Sequence, residues 1–188
     1  MSHPPIDYNK FYYKVIDNVL SKKEKLDVIN LYRDNKIPMY DTWYNHGDLE
    51  FVDRMLEFYF DWDVTILGYE AHFNDKRLHP HYDKDEEYFR RYGKMIHPII
   101  SMIYYPYFDG EGHGGDLVII NEHEGEKIQH NIPVISNRLV FFTPNALHGV
   151  EYYDEEKYQR LSIGINPWSY KPLAYTDDVI QEIDDAIQ

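Results

Sequence analysis

Before residue 64 apolar side chains recur at helical spacing; after it they come in short runs broken by Gly, Pro, Asn and Asp. Ser21-Lys22-Lys23-Glu24 has the form of a capping box, in which the serine accepts from backbone amides and the glutamate reaches back. Leu26, Ile29 and Leu31 follow, and Ile37-Pro38 closes the segment. Leu49, Val52, Met55, Leu56, Tyr59 and Phe60 share one helical stripe and predict a second helix over 48–62. Strands are expected over 64–71, 96–105, 116–120, 127–132, 138–142, 147–152 and 159–166. The charged stretch 83–94 reads as an exposed loop or short helix, and Gly110–Gly115 as a flexible turn. Helices first and strands after, without βαβ alternation, predict a mainly β fold: an antiparallel sandwich or barrel with helices packed outside.

The predicted organisation is one domain over 1–188. It has a helical part over 1–63, a β core over 64–168 and a C-terminal segment over 169–188 whose helix occupies 176–187. A chain of 188 residues fits one sizeable core and would be cramped as two. Aromatic residues make up 16% of it, enough to fill such a core.

There is no cysteine, which excludes disulfides, thiolate metal sites and a cysteine nucleophile. Any metal site must draw on His, Asp and Glu, and a reducing, cytoplasmic setting is expected. The formal charge of -14 disfavours binding to phosphate backbones and anionic lipid. The short basic run Lys22, Lys23, Lys25 reads as a solvated helix face. No stretch approaches the length of a membrane span, and Met-Ser-His-Pro-Pro has no signal pattern.

The sharpest chemical feature is His81-Tyr82-Asp83. On an extended strand residues two apart face the same way, so an imidazole and a carboxylate can converge on one cation while Tyr82 points elsewhere. His148, after the strand Arg138–Phe142 and the turn Thr143-Pro144-Asn145, is the candidate third ligand. Two neutral histidines and one carboxylate make the facial triad of non-haem iron(II), which leaves coordination positions open. Arg160 and Ser162 share one face of the otherwise apolar strand Gln159–Ile165. A buried arginine needs an anion, met either by an internal carboxylate or by a ligand that its planar fork grips bidentately.

Taken together, and in this order, these motifs resemble the iron(II)/2-oxoglutarate oxygenases, most closely the prolyl 4-hydroxylase-like branch, over roughly 64–168. Ile100–Tyr105 is similar to the strand whose last tyrosine reaches the co-substrate. Gly114-Gly115-Asp116-Leu117 and Asn137–Phe142 resemble the segments that open the next strand and precede the distal histidine. The resemblance implies a double-stranded β-helix, a jelly-roll or cupin-like barrel of two antiparallel sheets. It implies that His81, Asp83 and His148 ligate Fe(II), and that Arg160, Ser162 and Tyr105 bind the distal carboxylate of 2-oxoglutarate. It matches Tyr69 to a co-substrate tyrosine on the preceding strand, and it leaves Arg138 a structural role. The activity implied is a dioxygenase that uses dioxygen and 2-oxoglutarate to hydroxylate a small-molecule or peptide substrate, a prolyl or other amino-acid group. Asp83 stands where the related halogenases carry a small residue, so halogenation is disfavoured.

Two other readings remain open on sequence: a cupin-like metalloenzyme without an oxo-acid, and a non-catalytic β-sandwich module. His79 lies two before His81, but Pro80 spoils the strand parity that would make it a ligand. His3, His46, His97, His123 and His130 lack partners at ligand spacing, as do His72 and His113. The last two fall near the expected mouth, where substrate contact is open.

Overall fold

The computed structural model describes residues 11–58, 65–123, 126–176 and 179. Two antiparallel sheets form the body. The larger has the strand order β1-β7-β4-β9-β3-β2 and the smaller β6-β5-β8. The strands are β1 (Tyr13–Asp17), β2 (Thr42–Asn45), β3 (Gly68–Asn74), β4 (Ser101–Phe108), β5 (Leu117–His123), β6 (Glu126–Ile132), β7 (Arg138–Phe142), β8 (Leu147–Val150) and β9 (Arg160–Trp168). The helices are α1 (Lys22–Arg33), α2 (Glu50–Glu57) and α3 (Glu86–Tyr92). This is the expected double-stranded β-helix with helices outside it.

Side-chain parity divides the larger sheet between two cores. Tyr69, Ala71 and Phe73 of β3, Leu161, Ile163 and Ile165 of β9, and Leu139 and Phe141 of β7 pack toward Val28 of α1 and Val52, Met55 and Leu56 of α2. Val140 and Phe142 of β7 and Tyr105 of β4 pack instead on Leu117 and Ile119 of the small sheet. The even residues of β3 and β9 point away from the α1/α2 core, and His72, Asn74, Arg160, Ser162 and Asn166 among them line the site.

The capping box forms as its residues dictate. Ser21 Oγ accepts from Glu24 N at 3.3 Å, and Glu24 Oε2 accepts from Ser21 N at 2.8 Å. The charged stretch after Asp83 contains α3, whose start is capped by Asp85 and whose end is closed by Gly93 at φ 65°.

The helical reading of the first third is corrected. It also carries β1 and β2, which add to opposite edges of the larger sheet, beside β7 and β3. Both are short, and their pairing partners lie far along the chain (Tyr13 with Phe142, for example), so no local period announces them. Arg138 supports this edge, its guanidinium taking both carboxylate oxygens of Asp17 at 2.6 and 2.8 Å, which is the structural role expected of it. The second helix is α2, shorter than the stripe suggested, and Tyr59 and Phe60 lie outside the described residues. So does the helix expected over 176–187, apart from residues 176 and 179; before it a 3-10 turn spans Leu173–Tyr175.

Candidate active site

His81 and His148 face each other across an isolated antiparallel bridge that extends the small sheet beyond β8. His81 N donates to His148 O at 2.8 Å, and His148 N donates to His81 O at 2.9 Å. That pairing brings the two rings to 4.4 Å between centroids. Each ring has its Nδ1 against a backbone carbonyl two residues earlier, His79 O at 2.8 Å and Ala146 O at 3.1 Å. With the proton held at Nδ1, each Nε2 keeps its lone pair for a metal. Burial lowers the His148 pKa, against the opposing pull of the Asp83 charge, and so favours the neutral imidazole a ligand requires.

Asp83 completes the group. Its Oδ1 lies 3.9 Å from His81 Nε2 and its Oδ2 3.5 Å from His148 Nε2. One ligand atom from each of the three residues falls within 4.8 Å of the others. The Ser101 hydroxyl donates to Asp83 Oδ2, and the Asn166 amide, turned so that its nitrogen faces the acid, donates to the same oxygen at 3.2 Å. The donor set of two imidazoles and a carboxylate fits iron(II). His79 takes no part, since its side chain is exposed and only its carbonyl touches His81.

Further along β9, Arg160 is 2% exposed and pairs with no carboxylate among the described residues. Its Nη1 donates to Ser162 Oγ at 3.1 Å, and its guanidinium lies 5.2 Å from the Tyr105 ring centre. Arg160 Nε and the Tyr105 hydroxyl are both buried without a hydrogen-bond partner among the described residues. Burial raises the Tyr105 pKa, so that the hydroxyl stays protonated as a donor; the Arg160 charge only opposes this. Pro106 supplies no ladder donor, and the β4–β9 register shifts between Tyr104 and Tyr107, at the bulge that positions Tyr105. A buried cation with idle donors around it is costly unless an anion arrives. The arrangement fits the far carboxylate of a dicarboxylic oxo-acid.

The three ligand candidates line one pocket with Arg160 and Ser162, together with His72, Asn74, Leu78 and Met102. Its free space is about 30 Å³, room for roughly two waters. A larger cavity of about 730 Å³ lies outside, between α1 and the segment 155–161, and meets this pocket only at Arg160. It contains none of the metal-binding candidates, so size does not mark the reactive site here.

Tyr69 is corrected. It sits on the other face of β3, in the core beneath α2, and its hydroxyl accepts from Leu49 N at 3.0 Å. An odd position on β3 cannot reach a pocket built from the even ones. Ser101, Asn166 and Asp41, which binds His72, escaped the sequence reading. Asn166 shares strand parity with Arg160 and Ser162, and that signal alone could have found it.

The model of the 2OG-Fe(II) oxygenase superfamily matches residues 65–168. No curated protein matches the chain. Among solved structures, a prolyl-4-hydroxylase from Pseudomonas putida aligns with TM-score 0.56 and 15% identity, covering 88% of this chain and 92% of that one. The viral collagen prolyl hydroxylase of Paramecium Bursaria Chlorella virus-1, as a 2OG complex, aligns with TM-score 0.54 and 16% identity over 84% and 96%. HygX from Streptomyces hygroscopicus, with nickel and 2-oxoglutarate bound, gives TM-score 0.54 and 15% identity over 92% and 90%. At these identities the three likenesses concern the fold.

Proposed function

Because the chain belongs to the 2OG-Fe(II) oxygenase superfamily, we propose that His81, Asp83 and His148 hold its iron(II), and that Arg160, Ser162 and Tyr105 hold the far carboxylate of 2-oxoglutarate. The enzyme is a 2-oxoglutarate-dependent dioxygenase of the hydroxylase type. The observation that carries the residue assignment is Arg160, a buried guanidinium with no acid partner among the described residues, lining the same pocket as the three ligand candidates. A cupin-like metalloenzyme without an oxo-acid, or a binding module, has no use for such a charge.

Iron(II), when bound, would supply the chemistry that couples oxidative decarboxylation of 2-oxoglutarate to succinate and carbon dioxide with hydroxylation of a substrate C–H bond, one oxygen atom of dioxygen going to succinate and the other to the substrate. The chain supplies geometry. His81 and His148 present Nε2 because His79 O and Ala146 O hold their Nδ1 protons. Ser101 and Asn166 keep the Asp83 carboxylate turned toward the imidazoles. Arg160 and Ser162 fix one end of the co-substrate, which leaves it a single orientation toward the triad. Leu78 and Met102 give the pocket apolar wall beside these groups.

The substrate is proposed to be a prolyl or other amino-acid group, free or in a peptide. Two of the structural neighbours are prolyl hydroxylases, which supports the first choice. A charge of -14 speaks against nucleic acid as a partner. No helix of the described residues is long and apolar enough to cross a membrane. A cysteine-free chain suits the cytoplasm, and residues 1–188 are taken to act as one catalytic domain.

The test is succinate formation from 2-oxoglutarate with Fe(II) and ascorbate, across pools of amino acids and proline-containing peptides. Turnover that needs Fe(II) and is lost in His81→Ala, Asp83→Ala and Arg160→Ala is expected. Turnover unchanged in all three variants would reject the site.

A further inference from the structure

Among the polar side chains of the pocket, His72 is an ionisable one that neither the triad nor the Arg160 cluster uses. His72 occupies the pocket face of β3, between Glu70 and Asn74, and pairs across the sheet with Gly164 of β9. A Cβ on Gly164 would lie 2.9 Å from His72 Cε1, so the glycine is what lets the imidazole lie across β9. The ring therefore sits over the strand between Ser162, on the Arg160 side, and Asn166, on the Asp83 side.

Its orientation is imposed from outside. β2 pairs with the free edge of β3, with Thr42 opposite Ala71, and this sets Asp41 opposite His72 just beyond the end of the ladder. Asp41 Oδ1 is 2.6 Å from His72 Nδ1. His72 has no other hydrogen-bond partner among the described residues, so Nε2 is the atom left to the pocket.

We propose that His72, aimed by Asp41, determines specificity by holding a carboxylate of the substrate beside the metal triad. The inference rests on the oxygenase reading and adds a substrate class to it: small acids, or peptides presenting a terminal carboxylate. The co-substrate has two acidic ends, one for Arg160, Ser162 and Tyr105 and one for the metal. His72 belongs to neither group. The pair is oriented for this task, with the Asp41 side chain 55% exposed and the His72 side chain 21% exposed. Burial alone pulls the His72 pKa down, but the hydrogen bond and charge of Asp41, with Asp83 behind them, leave it raised. The Asp41 pKa is lowered, since the hydrogen bond and charge of His72 more than offset burial. Both directions describe an ion pair whose positive end faces inward.

The experiment uses the full chain loaded with Ni(II) and saturating 2-oxoglutarate, with calorimetric titration of acid and amide pairs. The pairs are L-proline with L-prolinamide, and N-acetyl-L-proline with its amide. The acid of a pair should bind wild type about tenfold tighter than the amide, the worth of one charge-assisted hydrogen bond. His72→Gln should erase that preference, and Asp41→Asn should reduce it. Binding of 2-oxoglutarate itself should persist in both variants, which also shows that they fold. No acid preference in wild type, or a preference that survives His72→Gln, overturns the proposal. So does loss of 2-oxoglutarate binding in folded His72→Gln, because it would put the imidazole on the co-substrate. Failure of wild type to bind 2-oxoglutarate with Ni(II) would instead sink the oxygenase site, so the two failures are told apart.

Discussion

The Ser101 hydroxyl donates to the Asp83 oxygen that faces His148, so the first residue of β4 holds the carboxylate of the candidate triad. Outer partners of this kind fix a ligand's direction and typically contribute about 10- to 100-fold to metal affinity. Ser101→Ala should therefore weaken Ni(II) binding by about tenfold or more while leaving the fold intact. Metal titration followed by calorimetry checks this, and unchanged affinity would mean that Asn166 suffices to orient Asp83.

Arg160 offers a prediction of opposite signs. Its buried charge has no acid partner among the described residues, so replacing it with an apolar residue removes a desolvation cost. Arg160→Leu should raise the stability of the ligand-free protein by about 1–3 kcal/mol in urea denaturation. The same variant should lose the thermal stabilisation that 2-oxoglutarate gives with Ni(II). A destabilised variant would point to a structural role for the guanidinium.

Tyr69 and Ser162 should part company. Tyr69→Phe removes a hydroxyl bonded to Leu49 N and should cost about 1 kcal/mol of stability with 2-oxoglutarate affinity unchanged. Ser162→Ala takes the partner of Arg160 Nη1 and should raise the 2-oxoglutarate Kd by about three- to tenfold. Equilibrium unfolding and co-substrate titration on both proteins separate the roles.

Glu70 makes stability depend on pH. Its carboxyl lies against Trp168 Nε1 at 2.9 Å and is pushed from 4.5 up to about 8, first by burial and then by the charges of Asp41 and Asp83. Between those values the folded protein keeps a proton that the unfolded chain has released, so stability falls as pH rises through the window. The loss approaches about 1.4 kcal/mol per pH unit. Glu70→Gln keeps an acceptor for Trp168 and removes the ionisation. The metal-free variant should overtake wild type in denaturant midpoint as pH rises from about 5.5 to 7.5. Parallel curves would show that the carboxyl ionises without penalty.

The chain itself determined what depends on order and period. The capping box at Ser21, the strand texture after residue 64, and the triplet His81-Tyr82-Asp83 are local, because neighbours in sequence are neighbours in a turn or a strand. Arg160 and Ser162 were legible for the same reason, two residues apart on one strand in an apolar background. The order of these motifs was enough to suggest which distant His joins the triplet.

Only the tertiary structure decided which groups meet across strands. β1 and β2 exist because the edges beside β7 and β3 were free to take them, a long-range choice that four or five residues cannot advertise. Tyr69 lost its expected role to a one-residue difference in parity, which turns a side chain from pocket to core. Asp41 reached His72 because the register of β2 on β3 placed it there, and Ser101 at the start of β4 reached Asp83 on the loop after His81. Register depends on the packing of both faces at once, and that information is spread over the whole chain.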